Sequence, residues 1–227
     1  MRFILCCLLA ACSAGSEDED TSLDTDIVDT PEPVTASIQL LDVQGGTLPE
    51  GIVVTSPLET VTLDSDSAGS IQVPTQEQFY LEVAADAFIT HHLTGVTGEE
   101  DFRLVSFFAS ESTKALMYGL LKLDESVDTG ILIVALDNPD LSPAVGAAAD
   151  IDATHDGAFV STSFGVAFSN VVGTGGFVAF PNVDPGKTTI SVTPPEGKTC
   201  LFHPAGGENA TVDIIANEAT VAFFVCD

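Results

Sequence analysis

The sequence predicts an all-β fold built of two tandem Ig-like β-sandwich units that are joined by one short helix. Apolar residues in the body recur mainly with period two, which is typical of strands with one buried face. Turn-forming pairs such as Gly45-Gly46, Asn138-Pro139 and Asp156-Gly157 separate the apolar runs at short intervals. One β pattern also occurs twice, in the same order, roughly 100 residues apart.

The predicted strands are short. In the first unit they cover residues 37–43, 51–55, 60–63, 70–73 and 79–84. In the second unit they cover residues 130–136, 147–152, 176–180, 188–193, 200–203, 210–215 and 220–226. Many short strands with frequent turns predict a sandwich or a barrel.

One stretch departs from the strand period. Residues 110–122 read SESTKALMYGLLK, where apolar residues recur near helical spacing after a cluster of N-cap residues. We expect a short helix there, with Met117 and Tyr118 packed in the core. The body is thereby divided into a first sandwich at residues 35–109, a helix at 110–123 and a second sandwich at 124–227.

The repeat carries a family resemblance. Gly69 opens a strand that ends at Pro74, and Gly176 and Pro181 bound the same arrangement in the second unit. With the acidic turn before Gly69 and the turn Asp184-Pro185-Gly186, the pattern resembles the carboxypeptidase regulatory-like domain. The resemblance implies a transthyretin-like sandwich with Greek-key character and no catalytic residues. The first copy departs from the family at residues 75–78, where TQEQ replaces the Pro-Gly turn.

The N-terminus has the order of a secretory signal: one arginine, an apolar run at residues 3–9 that is too short to cross a bilayer, and then small residues. Its end, Leu9-Ala10-Ala11-Cys12, resembles the lipobox of bacterial lipoproteins. The resemblance implies that residues 1–11 are removed and that Cys12 is acylated, with Ser13 favouring the outer membrane or the cell surface. An ordinary signal peptide that contains cysteines is the alternative.

Residues 12–34 follow as an acidic segment without a basic or an aromatic residue. Such a composition cannot bury enough apolar surface to fold, so we expect a disordered tether that spaces the body from the lipid headgroups. A docking segment or a weak calcium-binding tract is the alternative. The whole chain has 34 acidic against 6 basic residues, which argues against binding to nucleic acid or to anionic lipid surfaces.

Five cysteines are present, of which Cys6 and Cys7 lie in the leader and Cys12 is the proposed acylation site. Cys200 and Cys226 remain. In an exported protein two leftover cysteines most often form a disulfide, and two free buried thiols are the alternative.

No catalytic motif is found in the sequence. The four histidines form no HExxH pair, and neither a phosphate-binding loop with lysine nor a G-x-S-x-G elbow occurs. We therefore expect no enzyme activity and no cofactor. His155 beside two aspartates is expected to lie in a solvated turn, and His91 and His92 are expected on the surface.

Calcium is the metal that the acidic turns could bind, because carboxylates are the hard oxygen ligands it prefers. Neither turn has the full spacing of a known calcium loop, so we expect no metal site. The weak candidates are Asp64, Asp66, Asp152 and Asp156.

These observations predict a non-enzymatic, exported lipoprotein that faces the surface or the periplasm and acts as a structural or protein-interaction module of the cell envelope. It would contact the membrane through its lipid and bind an envelope protein. A lipoprotein that recognises a glycan or a peptide is the alternative, although the absence of Trp counts against a sugar platform. Residues 153–175, which the first unit lacks, are predicted to form an extra hairpin that could offer a strand to a partner.

Overall fold

The computed structural model describes residues 31–162 and 165–227. The predicted signal peptide, Cys12 and nearly all of the predicted tether lie outside the described residues. Residues 31–227 form one compact unit. Its strands are β1 Val34–Asp42, β2 Val53–Thr55, β3 Thr60–Thr62, β4 Ala68–Val73, β5 Gln78–Ala84, β6 His91–Val96, β7 Phe102–Phe108, β8 Gly130–Asp137, β9 Ala148–Ile151, β10 Phe159–Thr162, β11 Gly165–Phe168, β12 Phe177–Val183, β13 Gly186–Thr193, β14 Cys200–Phe202, β15 Asn209–Ile214 and β16 Ala219–Cys226, and helix α1 is Glu111–Leu121.

The first half is a sandwich of one small, three-stranded sheet and one end of a larger sheet. In one sheet β1 pairs antiparallel with β4 and parallel with β7. In the other, β5 lies between β2 and β6, and β3 pairs with the far side of β2. Alternate residues of each strand point between the sheets, so Ile71, Phe79 and Leu104 are all buried in one apolar core.

The second half repeats this pairing. β8 pairs antiparallel with β12 and parallel with β16, as β1 does with β4 and β7. β13 lies between β9 and β15, as β5 lies between β2 and β6. The two occurrences of the sequence pattern therefore fold with the same strand arrangement, and the structure is an all-β tandem sandwich.

The last strand, β16, joins the two halves. It pairs parallel with both β6 and β8, which gives one central sheet in the order β11-β10-β12-β8-β16-β6-β5-β2-β3. Val221 and Phe223 face the first core, whereas Ala222 and Phe224 face the second. Because both faces are covered, this strand is a continuous apolar run and does not alternate.

β6 belongs to the first predicted sandwich and β16 to the second, yet the two strands pair with each other. The ranges 35–109 and 124–227 remain predictions, because both belong to the same compact unit. Each core nevertheless gathers its residues mainly from one half of the chain.

Two strands were not predicted, β6 and β7. The sequence HHLTGV of β6 places polar residues on both faces, and because the strand lies inside the central sheet its burial does not alternate. The prediction that His91 lies on the surface is wrong. Its side chain faces the first core, packs edge-on against Phe108 and is 1% exposed.

Helix α1 begins after Ser110, whose hydroxyl accepts a hydrogen bond from the backbone N–H of Thr113. It ends at Leu121, and the C-cap residue Lys122 has a left-handed backbone. Only Tyr118 and Leu121 of the helix are buried. No helix among the described residues is both long enough and apolar enough to cross a bilayer.

The predicted cysteine pair is joined by a disulfide. Cys200 on β14 lies directly opposite Cys226 on β16, with 4.0 Å between their Cα atoms. Beside them, Thr199 and Asp227 exchange both backbone hydrogen bonds. The bond therefore ties β14 to the end of the central strand.

Candidate binding site between the helix and the β10–β11 hairpin

The hairpin predicted within residues 153–175 is present. β10 and β11 pair antiparallel, and β10 joins the central sheet through Phe159, which lies opposite Ala179 of β12. β11 is thus the last strand at this end of the sheet. Three of its four residues are exposed, and the side chain of Phe168 is 57% exposed.

A cavity of about 320 Å³ lies between α1 and this hairpin. We name it the helix–hairpin groove. Its floor is the central sheet, and its walls come from α1, β7 and β11. The floor residues are Ile131, Ile133, Phe159, Phe177, Ala179 and Ala219, and the wall residues include Phe107, Leu116, Met117, Leu120 and Val166.

The groove exists because the small sheet formed by β4, β1 and β7 covers only part of the central sheet. Val221 and Phe223 lie under that small sheet, whereas farther along the same face Ile131 and Ala219 lie under the helix. Because α1 buries only two of its residues, its other apolar side chains stay exposed to solvent. Leu116 and Leu120 are 54% and 56% exposed along the groove wall. Contiguous exposed apolar surface of this kind marks interaction sites.

His91 is the polar residue that is buried at the groove. Its Nδ1 lies 2.8 Å from the carbonyl oxygen of Ile89, and because a carbonyl only accepts, Nδ1 carries the hydrogen. Nε2 is then an acceptor, and it has no hydrogen-bond partner among the described residues. Burial lowers the pKa of His91 to about 4, so the ring is neutral at pH 7.

The charged groups near the groove are largely neutralised. Lys114 lines it, but its Nζ lies 2.7 Å from Glu111 and 2.8 Å from Glu125. A smaller adjoining cavity of about 60 Å³ shares Phe107 and Phe177 with the groove and is bordered by Asp137. Burial raises the pKa of Asp137 to about 7, so this carboxyl is partly protonated at neutral pH. Lys114 is thus paired at the groove, and Asp137 beside it is partly neutral.

The acidic residues considered for calcium already accept hydrogen bonds from the protein. Oδ1 of Asp64 accepts backbone hydrogen bonds from Asp66 and Ala68, each at 2.9 Å. Oδ1 of Asp152 accepts from the backbone N–H of Thr189 at 2.7 Å and from the hydroxyl of Thr188 at 2.9 Å. These bonds lower the pKa of Asp152.

Asp156 and His155 both contact β12. Asp156 accepts from the side-chain amide of Asn182 at 2.6 Å, and the ring of His155 stacks on Phe180 at 5.1 Å between centroids. Within the part of the chain that the structure describes, no three His, Cys, Asp or Glu residues are grouped so as to hold a metal ion.

Asn182 is a positioning residue that sequence reasoning missed. Its side-chain oxygen accepts from the hydroxyl of Tyr118 at 2.9 Å and from the backbone N–H of Ser126 at 3.0 Å, and its amide donates to the carbonyl of Asp124 at 2.9 Å. Its φ of 51° is left-handed, which asparagine tolerates better than most residues. The only signal in the sequence was an asparagine directly after Pro181. Asn182 fixes α1 and the following loop to the sheet, and so it positions one wall of the groove.

No protein-family model and no curated protein matches the chain. Solved structures with similarity to it include the Bacillus anthracis TIE protein, with a TM-score of 0.30 and 14% identity over 86% of this chain. The chain spans 34% of that protein. GBS52, the minor pilin of Streptococcus agalactiae, has a TM-score of 0.32 and 10% identity, with 85% of this chain and 95% of the pilin covered.

A third structure is the shaft pilin SpaA of Lactobacillus rhamnosus GG, with a TM-score of 0.28 and 9% identity, covering 86% of this chain and 98% of the pilin. Because no family model matches, the resemblance to the carboxypeptidase regulatory-like domain stays a prediction. The acylation of Cys12 stays one as well.

Proposed function

We propose that this protein is a non-enzymatic module of the cell envelope that is held at a membrane by lipid on Cys12 and binds a protein partner. The lipobox-like Leu9-Ala10-Ala11-Cys12 supports the anchor, and the acidic residues 12–34 support a spacer between membrane and body. The disulfide between Cys200 and Cys226 supports export, because such bonds persist mainly in oxidising compartments.

The observation that carries the binding function is the free edge of β11. Exposed edge strands are usually protected by shortness, by charged residues or by proline. β11 reads Gly-Val-Ala-Phe, with no charge and no proline, and it exposes Phe168. At the opposite end of the central sheet β3 is about as short as β11, but it follows the charged Glu59. An edge strand without charge or proline beside an apolar groove suits the addition of a partner's strand.

The edge can be tested in the full chain in its native envelope. A photo-reactive phenylalanine analogue at position 168 is expected to crosslink to a protein partner. Ala167→Lys should reduce the yield about tenfold, the effect of a loss of about 1.4 kcal/mol, because it places a charge on the docking edge. Thr62→Lys on β3 is the matched control and should leave the yield unchanged. No crosslink, or an equal loss from both variants, contradicts docking at β11.

The anchor has its own test. Cys12→Ser should release the protein from membranes into the soluble fraction, because the acyl chains would be lost. Cys6→Ser is the matched control, since that cysteine leaves with the leader, and it should remain in the membrane fraction. Membrane retention of the Cys12→Ser protein after a high-salt wash would show that the lipid is not the anchor.

Ligand binding is a second candidate function, and the helix–hairpin groove favours it. Its volume of about 320 Å³ falls within the usual range of small-molecule pockets. The apolar walls make it unsuited to a glycan, which needs many polar groups.

A further inference from the structure

We infer that Asp137 is a pH-sensitive switch for the β10–β11 hairpin: its neutral carboxyl lets the turn before β12 pack closely, and its ionised carboxylate loosens that turn. This regulation rests on the docking function proposed for the edge of β11, and it adds the condition under which that edge is held firmly. The switch consists of the small cavity beside the helix–hairpin groove, the carboxyl that faces this cavity, and two glycines that connect the carboxyl to the hairpin.

The side chain of Asp137 faces the small cavity of about 60 Å³ between β7 and the central sheet. Side chains alternate along β8, and Ile133 and Ala135, which lie on the same face as Asp137, also line this cavity. The other lining side chains are apolar except for Ser106, whose hydroxyl donates to the carbonyl of Phe107 at 3.3 Å. Within the part of the chain that the structure describes, the carboxyl of Asp137 has no hydrogen-bond partner.

An ionised carboxylate is costly in this cavity, because it loses hydration and gains neither a donor nor a cation. Burial alone raises the pKa of Asp137 to about 7. Among the described residues, no other titratable group lines the cavity from β7, β12, β16 or the end of β1. Charged groups on adjoining segments have partners of their own: Asp42 accepts from two backbone N–H groups, Asp140 accepts two hydrogen bonds within its turn, and Lys198 donates to Asn138.

Two glycines connect this carboxyl to the hairpin. A Cβ placed on Gly176 would lie 3.1 Å from Oδ1 of Asp137, and a Cβ placed on Gly175 would lie 2.7 Å from the Cβ of Ser161 on β10. The turn before β12 is therefore packed between the carboxyl and the hairpin. The cavity has room for about two water molecules, and its apolar walls offer them no further partners. Full hydration of the carboxylate thus requires the turn to move outward, and β10 moves with it.

The direction of the pH dependence follows from proton linkage. In the closed state the carboxyl titrates near pH 7, whereas in an opened, hydrated state it would titrate near its ordinary value of 3.8. Between these values opening releases a proton, so rising pH favours opening, by at most about tenfold per pH unit. Above about pH 7 the closed state is ionised as well, and the dependence ends. The hairpin is therefore held more firmly in mild acid than in mild base.

Hydrogen exchange followed by mass spectrometry tests the switch without a partner. The full chain is used as its Cys12→Ser variant, which carries no acyl chain and needs no detergent. The exchange rate of the amides in β10 and β12, divided by the rate in Asp137→Asn at the same pH, should rise at least about tenfold from pH 5 to pH 8. The division removes the pH dependence of exchange itself. Asp137→Leu, an apolar replacement of similar size, should give the same result when it replaces Asp137→Asn as the reference.

Asp184→Asn is the matched control, because Asp184 directly follows β12 but is exposed. This variant should keep the pH dependence of the original chain. The inference is overturned if the ratio of exchange rates stays constant from pH 5 to pH 8. It is also overturned if Asp184→Asn removes the pH dependence as fully as Asp137→Asn does.

The crosslink at position 168 reports the effect of the switch on docking. Its yield in the native envelope, divided by the yield in Asp137→Asn at the same pH, should fall from pH 5 to pH 8; a constant value overturns the regulation of docking. If the exchange ratio rises and no crosslink forms at either pH, the docking function fails and the switch stands. If the crosslink forms and the exchange ratio stays constant, docking stands and the switch is overturned.

Discussion

Asn182 connects the helix, the loop after it and the central sheet through one side chain. Both of its polar atoms are used, and its left-handed backbone lies at an irregularity in the pairing of β12 with β8. Replacing it would leave the buried hydroxyl of Tyr118 without its partner and would remove the bonds that hold the loop at Ser126 and Asp124. Groups left unpaired in this way are costly, because they lose the hydrogen bond without regaining water.

We therefore expect Asn182→Ala to lower the free energy of unfolding by about 2–4 kcal/mol in urea denaturation. Asn217→Ala is the matched control. Asn217 also has a left-handed backbone, with φ 64°, but it is exposed in a turn. Its replacement should lower the free energy of unfolding by no more than about 1 kcal/mol. Equal losses would mean that the backbone conformation, and not the side-chain bonds, gives Asn182 its importance.

His91 makes stability depend on pH in a defined direction. Its pKa in the folded protein is about 4, below the ordinary 6.5, because burial disfavours the charged ring. Between these values the unfolded chain binds more protons than the folded one. The contribution is therefore fully present above pH 6.5 and is lost as the pH falls toward 4.

The loss is at most about 3 kcal/mol. Relative to the original chain, His91→Phe should gain about that much free energy of unfolding when the pH is lowered from 7 to 4. Urea denaturation of both proteins at several pH values measures this difference. Parallel stability curves across that range would show that the ring is not held neutral by burial.

At the scale of elements, the sequence was informative where one local signal determined the outcome. The serine-rich start and helical spacing of residues 110–122 predicted α1 to within a residue or two of its ends. The turn signals and alternation predicted β1, β5 and β13, and the alternation in residues 153–175 predicted the extra hairpin. Each of these depends on contacts close in sequence or on a single buried face.

β6 and the groove could not be predicted in this way. The burial of β6 depends on β16, which lies more than a hundred residues later in the chain, and so does the position of His91. The groove depends on how much of the central sheet the small sheet and the helix leave uncovered, which is a property of packing and has no local pattern. Asn182 was missed for the same reason, since its partners lie 26 to 64 residues away.

For the molecule as a whole, β16 is the element that couples the stability of the two halves. It pairs with one strand from each half, and its two faces complete two different cores. Neither half has its full core without it. We therefore expect the described body to unfold as one cooperative unit, even though the sequence repeat predicts two tandem sandwiches.

Two neighbouring residues of β16 test this, because Phe223 faces the first core and Phe224 the second, at 5% and 1% exposed. Phe223→Ala and Phe224→Ala should each lower the free energy of unfolding by about 3–5 kcal/mol, the usual cost of removing a buried ring. Hydrogen exchange followed by mass spectrometry should then show faster exchange in β1 and in β13 for both variants, because global unfolding exposes both. If Phe223→Ala accelerates exchange only in β1 and Phe224→Ala only in β13, the two sandwiches open separately, and the strand that they share does not couple them.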